Sequence, residues 1–393
     1  MPAIKALDDA TIAKIAAGEV VERPMSAVKE LIENSIDAGS TDIAVDLEDG
    51  GCRSIRVSDN GCGMAPEDVR MCTGRHTTSK LGHIADLDTL HSLGFRGEAL
   101  HSIAAVSRLT VTSCAAGRDM GHMLHVAGTH VEADEPAARV QGTTIEIRDL
   151  FYNVPARLKF MKSPRSEIQA MTQLVQKFMI AHPEIAFRLT NNGAEALAAQ
   201  AAASRMERLD QLMGKDLARY IHQGGGTLKN AELTAYFCLP DLSFSNRKYQ
   251  IFYVNGHLVR DRTMTLAVDM PPGEVDVNVH PAKTEVRFLR QHDVHSLIFR
   301  TLRGAFMRAQ QQEQDNTPQP FTVVVDNEKP VAPPAEKNRD QTLDQDYIPG
   351  EDAQHTYVPV FTPGRRKQKQ EPVGNPKQGV PRHGEPAARD TPQ

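Results

Sequence analysis

Glu30 and Asn34 stand four residues apart in a segment, 25–35, whose apolar residues Val28, Leu31 and Ile32 recur at helical spacing. On a helix the two polar residues share one face. A carboxylate there can polarise a water, and an amide oxygen beside it can ligate a Mg2+ already held by phosphates. Glu33, three residues from Glu30, competes for the base role. Taken alone, an exposed polar helix face explains the pattern equally well.

A second constellation, Asp59-Asn-Gly-Cys-Gly63-Met64, follows the alternating run SIRVS. An aspartate at that point can accept the exocyclic amine of an adenine. Glycines two apart let backbone approach a planar base without Cβ clashes. By itself the same string is an ordinary turn. In the third, Ser92-Leu-Gly94-Phe95-Arg96-Gly97-Glu98-Ala99-Leu100, two glycines flank an arginine before a helix-forming run. Such a loop feeds a helix N-terminus, where free N–H groups and the dipole favour phosphate. Further along, Gly142-Thr143-Thr144 opens a strand and offers a hydroxyl toward a base. His280-Pro-Ala-Lys283 follows the strand-like VDVNV, and a lysine so placed can reach a phosphate as a point charge. Each motif is weak or moderate alone; their order along one chain is the stronger signal.

The elements that must position these residues are legible in outline. IAVDL from Ile43, SIRVSD from Ser54, RLTVTS from Arg108 and TTIEIRDL from Thr143 alternate as strands, and 167–181 reads as an amphipathic helix. Together they predict an α+β domain over residues 1–203. A second α/β domain is expected over 204–315. It has a helix near 205–212, strands at LTAYFCL, YQIFYVNG and VDVNVH, and a closing helix near 293–311. From residue 316 the composition shifts: thirteen of the 24 prolines lie from Pro318 onward, among many Gln, Glu, Asp and Lys. Such a segment buries too little apolar surface to offset its ordering entropy, so 316–393 is expected to be a disordered linker or tail.

The 393-residue chain carries a formal net charge of −5, which gives no global attraction to nucleic acid; any DNA contact must come from a local basic patch. Arg157, Lys159, Lys162, Arg165, Arg260 and Arg262 are scattered candidates. Five cysteines without a CxxC pair indicate neither a zinc site nor a disulfide framework. The N-terminus lacks an apolar signal core and no apolar run reaches spanning length, so a cytoplasmic protein without membrane contact is expected.

The segments Ile15–Val20, Val21–Pro24, Lys29–Asn34, Asp59–Gly63, Gly94–Leu100, Phe151–Arg157 and Val277–Lys283 together resemble the N-terminal half of the MutL family of DNA mismatch repair proteins. That family is one branch of the gyrase, chaperone and histidine-kinase ATPases, and the resemblance runs from Met1 to about Gln311. It implies a two-layer α/β sandwich ATPase domain followed by a domain resembling ribosomal protein S5. It implies ATP and Mg2+ as ligands, with Glu30 as general base, Asn34 as Mg2+ ligand and Asp59 as adenine reader, flanked by Gly63 and Thr143. Ser79, Lys80 and 94–100 match the lid and phosphate loop, Lys283 a cation delivered to the γ-phosphate, and Arg262 a DNA-binding groove. The segment before Gly18 resembles an arm that crosses to a second subunit. Implied partners are DNA, bound without sequence preference, a second copy through the ATPase domain, and mismatch-recognition and downstream repair proteins near the bacterial nucleoid. The sequence departs from the family after Arg262. Only TMTLAVDMPPGE stands where a helix and a strand are expected, so the second domain is expected to be shortened or reconnected. The C-terminal dimerisation domain and an endonuclease-type DQHAxxE motif are not found in these 393 residues. Two other readings stay open: a nucleotide- and DNA-binding module without turnover, and the ATPase region of a type II topoisomerase.

Overall fold

A computed structural model describes residues 7–80, 92–94, 97–214, 220–238, 251–259, 265–276, 279, 286–315 and 321–324. Phe95, Arg96 and Lys283, expected at the nucleotide, and Arg262, expected in a DNA-binding groove, lie outside these residues, as does Arg260. The described residues belong to one compact unit, 1–331.

Eight strands form the first sheet: β1 (Asp42–Glu48), β2 (Ser54–Asp59), β3 (Arg108–Cys114), β4 (Gly121–Ala127), β5 (His130–Ala137), β6 (Gly142–Arg148), β7 (Ala186–Asn191) and β8 (Ala194–Ala199). Their order is β5-β4-β3-β6-β2-β1-β7-β8, and every pairing is antiparallel except β1 with β7. Alternation along the strands sends one row of side chains inward: Ile55 and Val57 from β2, Leu109 and Val111 from β3, Ile145 and Ile147 from β6. Helices α1 (Asp9–Val20), α2 (Pro24–Asp37), α4 (Ala99–Ala105) and α6 (Pro164–Ala181) close over that face. They contribute Ala17, Val28, Leu31, Ile103, Met171 and Val175 to one aliphatic core. Two shorter helices, α3 (Pro66–Met71) and α5 (Pro155–Phe160), complete this layer of the chain.

α2 is the element that matters most for the site. Pro24 stands in its first turn, where a missing N–H costs nothing. The preceding Arg23 makes two 2.9 Å hydrogen bonds to the buried carboxylate of Glu167 on α6, which fixes where α2 begins. Gly39, at φ 71°, turns the chain out of the helix.

The second sheet contains β9 (His222–Leu228), β10 (Ala231–Phe237), β11 (Phe252–Val254), β12 (His257–Val259), β13 (Thr265–Asp269) and β16 (Phe321–Val324) in the order β12-β11-β13-β10-β9-β16. A separate pair joins β14 (Val275–Asp276) to β15 (Arg287–Phe288). α7 (Arg205–Met213) links the sheets, and α8 (Gln291–Asp315) covers the second one with Leu297, Ala305 and Ala309. Between the sheets lies a further cluster formed by Ile180 and Ala181 of α6, Leu209 of α7, and Tyr236 and Tyr253. Arg208 is fully buried there and donates to the carbonyls of Met179, Pro183, Ile185 and Gln200 at 2.8–2.9 Å.

Two features differ from expectation. The stretch TMTLAVDMPPGE does hold a strand, β13, which pairs antiparallel with β10 and parallel with β11. The same stretch ends in a short 3-10 helix, Pro272–Glu274, and residues 260–264, which stand between β12 and β13 in the sequence, lie outside the described residues. Second, β16 falls inside the segment that composition assigns to a tail. Phe-Thr-Val-Val is a short β-branched and aromatic run, and its backbone pairs in parallel with β9.

Candidate functional site

The site begins as a break in the apolar pattern of the first sheet. Continuing each inward row by one step gives Asp59 on β2, Thr143 on β6 and Ser113 on β3. These three strands are neighbours, and the register sets Asp59 opposite Thr143 and Thr143 opposite Ser113. Three polar residues thus stand in one line at the same end of the sheet, on the helix side, where aliphatic residues would otherwise continue the core.

Hydrogen bonds lock this row. The Asp59 carboxylate accepts from the Ser35 hydroxyl at 3.0 Å, from the Gly61 N–H at 2.9 Å and from the Thr143 N–H at 3.3 Å. The Thr143 and Ser113 hydroxyls lie 2.8 Å apart, and the Ser113 oxygen accepts from the Met64 N–H at 2.8 Å. Arg139 donates to the Asp59 carbonyl at 2.9 Å and Gln141 to the Gly61 carbonyl at 3.1 Å. Gly63 is at φ 67°, and a Cβ there would meet the Cys114 carbonyl oxygen at 1.9 Å. Only glycine lets this loop lie against β3.

At the other end the groups come from α2 and from residues outside any helix or strand. Asn34 Oδ1 accepts from Lys80 Nζ at 2.9 Å. The same ammonium pairs with Asp37 at 2.5 Å. Asp37 also accepts from the Leu93 and Gly94 N–H groups at 2.8 and 3.0 Å. A Cβ on Gly94 would reach within 3.0 Å of Lys80 Nζ and 3.4 Å of Asn34 Oδ1, so the glycine keeps open the space that these polar groups line. An amide oxygen, an ammonium and a backbone N–H around such a space suit a phosphate with its Mg2+, which keeps most of its coordination from phosphate and water and needs few protein oxygens. No cluster of three or more His, Cys, Asp or Glu able to hold a metal occurs among the described residues.

Glu30 and Glu33 separate clearly. Glu33 is buried and its carboxylate lies 2.6 Å from Lys29 Nζ. Glu30 is partly buried, 3.5 Å from Lys29, and one helical turn from Asn34. Gly97, at φ 64°, lies close against the Thr77 carbonyl. Glu98 turns to His76, 3.3 Å away, while Ala99 and Leu100 start α4. Ser79 is exposed. Arg157, one of the scattered basic candidates, donates to the Val21 carbonyl at 3.0 Å at the end of α1, while Lys159, Lys162 and Arg165 are exposed. α1 itself, expected as a crossing arm, buries Ala13 and Ala17 in its own chain's core. A thiol nucleophile is not available at Cys72, because burial pushes its pKa up to about 12.

Sequence reasoning missed Ser35, Ser113, Arg139 and Gln141 as neighbours of these residues. A signal existed for Ser113 and Ser35: each is a polar residue at a position where periodicity calls for an apolar one.

The family described as histidine kinase-, DNA gyrase B- and HSP90-like ATPase matches residues 22–154, which contain both ends of the site. A second, described as the C-terminal domain of DNA mismatch repair protein, matches 263–307. The DNA mismatch repair protein MutL of Xanthomonas campestris is 40% identical over 328 residues, 77% of this chain and 52% of the relative. That of Thiobacillus denitrificans is 42% identical over 318 residues, 75% and 53% respectively. The chain belongs to the MutL family. It spans about half the length of these MutL relatives and corresponds to the N-terminal region of MutL. Among solved structures, the MutL ATPase domain of Aquifex aeolicus complexed with ADP is similar with a TM-score of 0.51 and 26% identity, over 64% of this chain and 94% of that one. The N-terminal domain of a DNA repair protein, at TM-score 0.64 and 23% identity, covers 78% of this chain and all of that one and shares its fold. The two-layer sandwich of the gyrase and MutL type is therefore the architecture of the first sheet and its helices. Among the described residues no helix is long and apolar enough to cross a membrane.

Proposed function

We propose that this chain is the ATP-binding and ATP-hydrolysing region of a mismatch repair factor. The observation that carries the reading is a pair of consecutive residues on α2: Asn34 reaches the phosphate-side group and Ser35 reaches Asp59. One helix thereby ties a base-reading carboxylate to a phosphate-side cluster. The ADP complex of the related Aquifex aeolicus domain supports nucleotide as the ligand.

In this reading Asp59 accepts the adenine amine, and the glycine turn at Gly61 and Gly63 lets the base lie against backbone. Thr143 and Ser113 hold the row that fixes Asp59. Asn34 offers its oxygen to Mg2+, which when bound neutralises charge on the phosphates. Glu30 orients a water toward the terminal phosphate and accepts its proton. Gly94 and Gly97 keep backbone close to the phosphates, and Lys80 adds a positive charge. Ser79, Phe95, Arg96 and 98–100 complete that loop. Lys283, assigned by family resemblance, supplies a second cation, so that nucleotide binding favours a closed arrangement and a dimer through the ATPase domain. Arg262 belongs to a groove for DNA, bound without sequence preference and released steeply by salt. Recognition and downstream repair proteins are the implied partners.

The deciding measurement is magnesium-dependent phosphate release by the wild type and by Glu30→Ala, with ATP binding followed in both. The variant is expected to bind ATP and to lose on the order of 10²–10⁴-fold in turnover. Equal, near-zero rates in the two proteins would leave a nucleotide-binding module that does not turn over.

A further inference from the structure

Asp37, the last residue of α2, has a side chain only 8% exposed and gathers three donors: Lys80 Nζ, Leu93 N–H and Gly94 N–H. A carboxylate at the C-terminal end of a helix opposes the helix dipole, so its place there does not come from helix stability. What it does instead is visible in its partners. An ammonium and two backbone N–H groups are the donors a phosphate oxygen takes, and here a carboxylate of the chain itself engages all of them. Lys80 simultaneously donates to Asn34 Oδ1, the oxygen assigned above to Mg2+.

We infer that Asp37 is a positioning residue, which organises the phosphate-side donors before nucleotide arrives and keeps the Lys80 ammonium on the Asn34 oxygen until Mg2+ replaces it. Lys80 and Mg2+ then compete for one oxygen, and Asp37 retains Lys80 nearby once it has left Asn34. The inference rests on the ATP reading above. The Asp37–Lys80 contact lies within the chain itself, so it can be probed separately without added nucleotide.

The test uses Asp37→Asn, which keeps the shape and one acceptor oxygen but removes the charge, with Asp37→Ala as a second variant. Tryptic cleavage after Lys80 is followed in the full chain without nucleotide, and KM for ATP and kcat are measured with Mg2+. Both variants are expected to be cleaved after Lys80 about tenfold faster than wild type, from loss of charge-assisted hydrogen bonds. KM should rise several-fold, while kcat changes by less than about threefold, because Asp37 does not touch the reacting atoms. Cleavage at the wild-type rate in both variants overturns the inference, whatever the kinetics show. Faster cleavage with KM unchanged also overturns it, since the contact would then have no bearing on nucleotide. A wild type that binds no ATP at all ends the functional reading, and the faster cleavage would survive only as a structural contact.

Discussion

The two ends of the site are built by different means. Asp59, Thr143 and Ser113 lie on three adjacent strands, and their mutual placement is the register of the sheet. That register cannot slip without turning Ile55, Val57, Ile145 and Ile147 out of the core. The end to which we assign the phosphates, called the phosphate end below, has no such guarantee. Asn34 and Asp37 come from α2, whereas Lys80, Leu93 and Gly94 lie outside any helix or strand and are joined to it by side-chain hydrogen bonds. The base end is therefore organised by folding itself, and the phosphate end by a few polar contacts on top of the fold. Damage at the base end should lower stability and nucleotide affinity together, and damage at the phosphate end should lower affinity alone.

Asp59→Ala is the harshest way to break this contrast. It takes the carboxylate away from the Gly61 and Thr143 N–H groups, leaves the Ser35 hydroxyl only the Leu31 carbonyl, and removes the oxygen we assign to the adenine amine. A stability loss of about 3 kcal/mol and an affinity loss of at least about 100-fold are expected. Denaturant unfolding and binding of an ATP analogue report the two; an affinity loss with unchanged stability would contradict the register argument. Gly63→Ala follows, at about 2–3 kcal/mol, because a β-carbon must be fitted at positive φ against the Cys114 carbonyl. Gly94→Ala addresses the phosphate end. Its Cβ would enter the space beside Lys80 and Asn34, so affinity should drop about tenfold while unfolding stays within roughly 0.5 kcal/mol of wild type. A large stability loss in this variant would mean that the phosphate end is part of the core after all.

The same contrast explains what the sequence reveals. The strand Ser54–Asp59 and the helix around Glu30 are legible because their periods are local, and the inward position of Asp59 follows from Ile55 and Val57 by counting in twos. That β6 lies between β2 and β3, bringing Thr143 between Asp59 and Ser113, is a non-local fact no spacing contains. The capture of Lys80 by Asp37 across 43 residues is of the same kind. β5 hides for another reason: it is an edge strand, exposed along nearly its whole length, and carries no apolar alternation. β9 is masked by Gly224, Gly225 and Gly226, which read as a loop. At Gly226 a Cβ would fall 2.0 Å from the Thr301 hydroxyl of α8, so a residue that weakens strand propensity is required by close helix packing. The family resemblance alone carried Ser79, and it gave specific roles to Lys283 and Arg262, which local reading names only as possible cations.

The smallest effect completes the contrast with a site that should alter stability and leave affinity untouched. Asp134 stands on β5, at the opposite edge of the sheet from β8. Its carboxyl is held below the ordinary value of 3.8, first by a hydrogen bond from the His122 ring and then by Arg70. A carboxylate whose pKa is depressed by folding stabilises the protein above its unfolded value, and that contribution disappears as pH falls through the lower folded value. Asp134→Asn should therefore unfold at a slightly lower temperature than wild type near pH 7, and the gap should close as pH falls below about 4. ATP binding by the variant at pH 7 should equal that of wild type, because β4 and β3 separate β5 from the Asp59–Thr143 pair. A variant that unfolds like wild type at neutral pH, or that loses nucleotide affinity, would show that the edge of the sheet and its polar row are not independent.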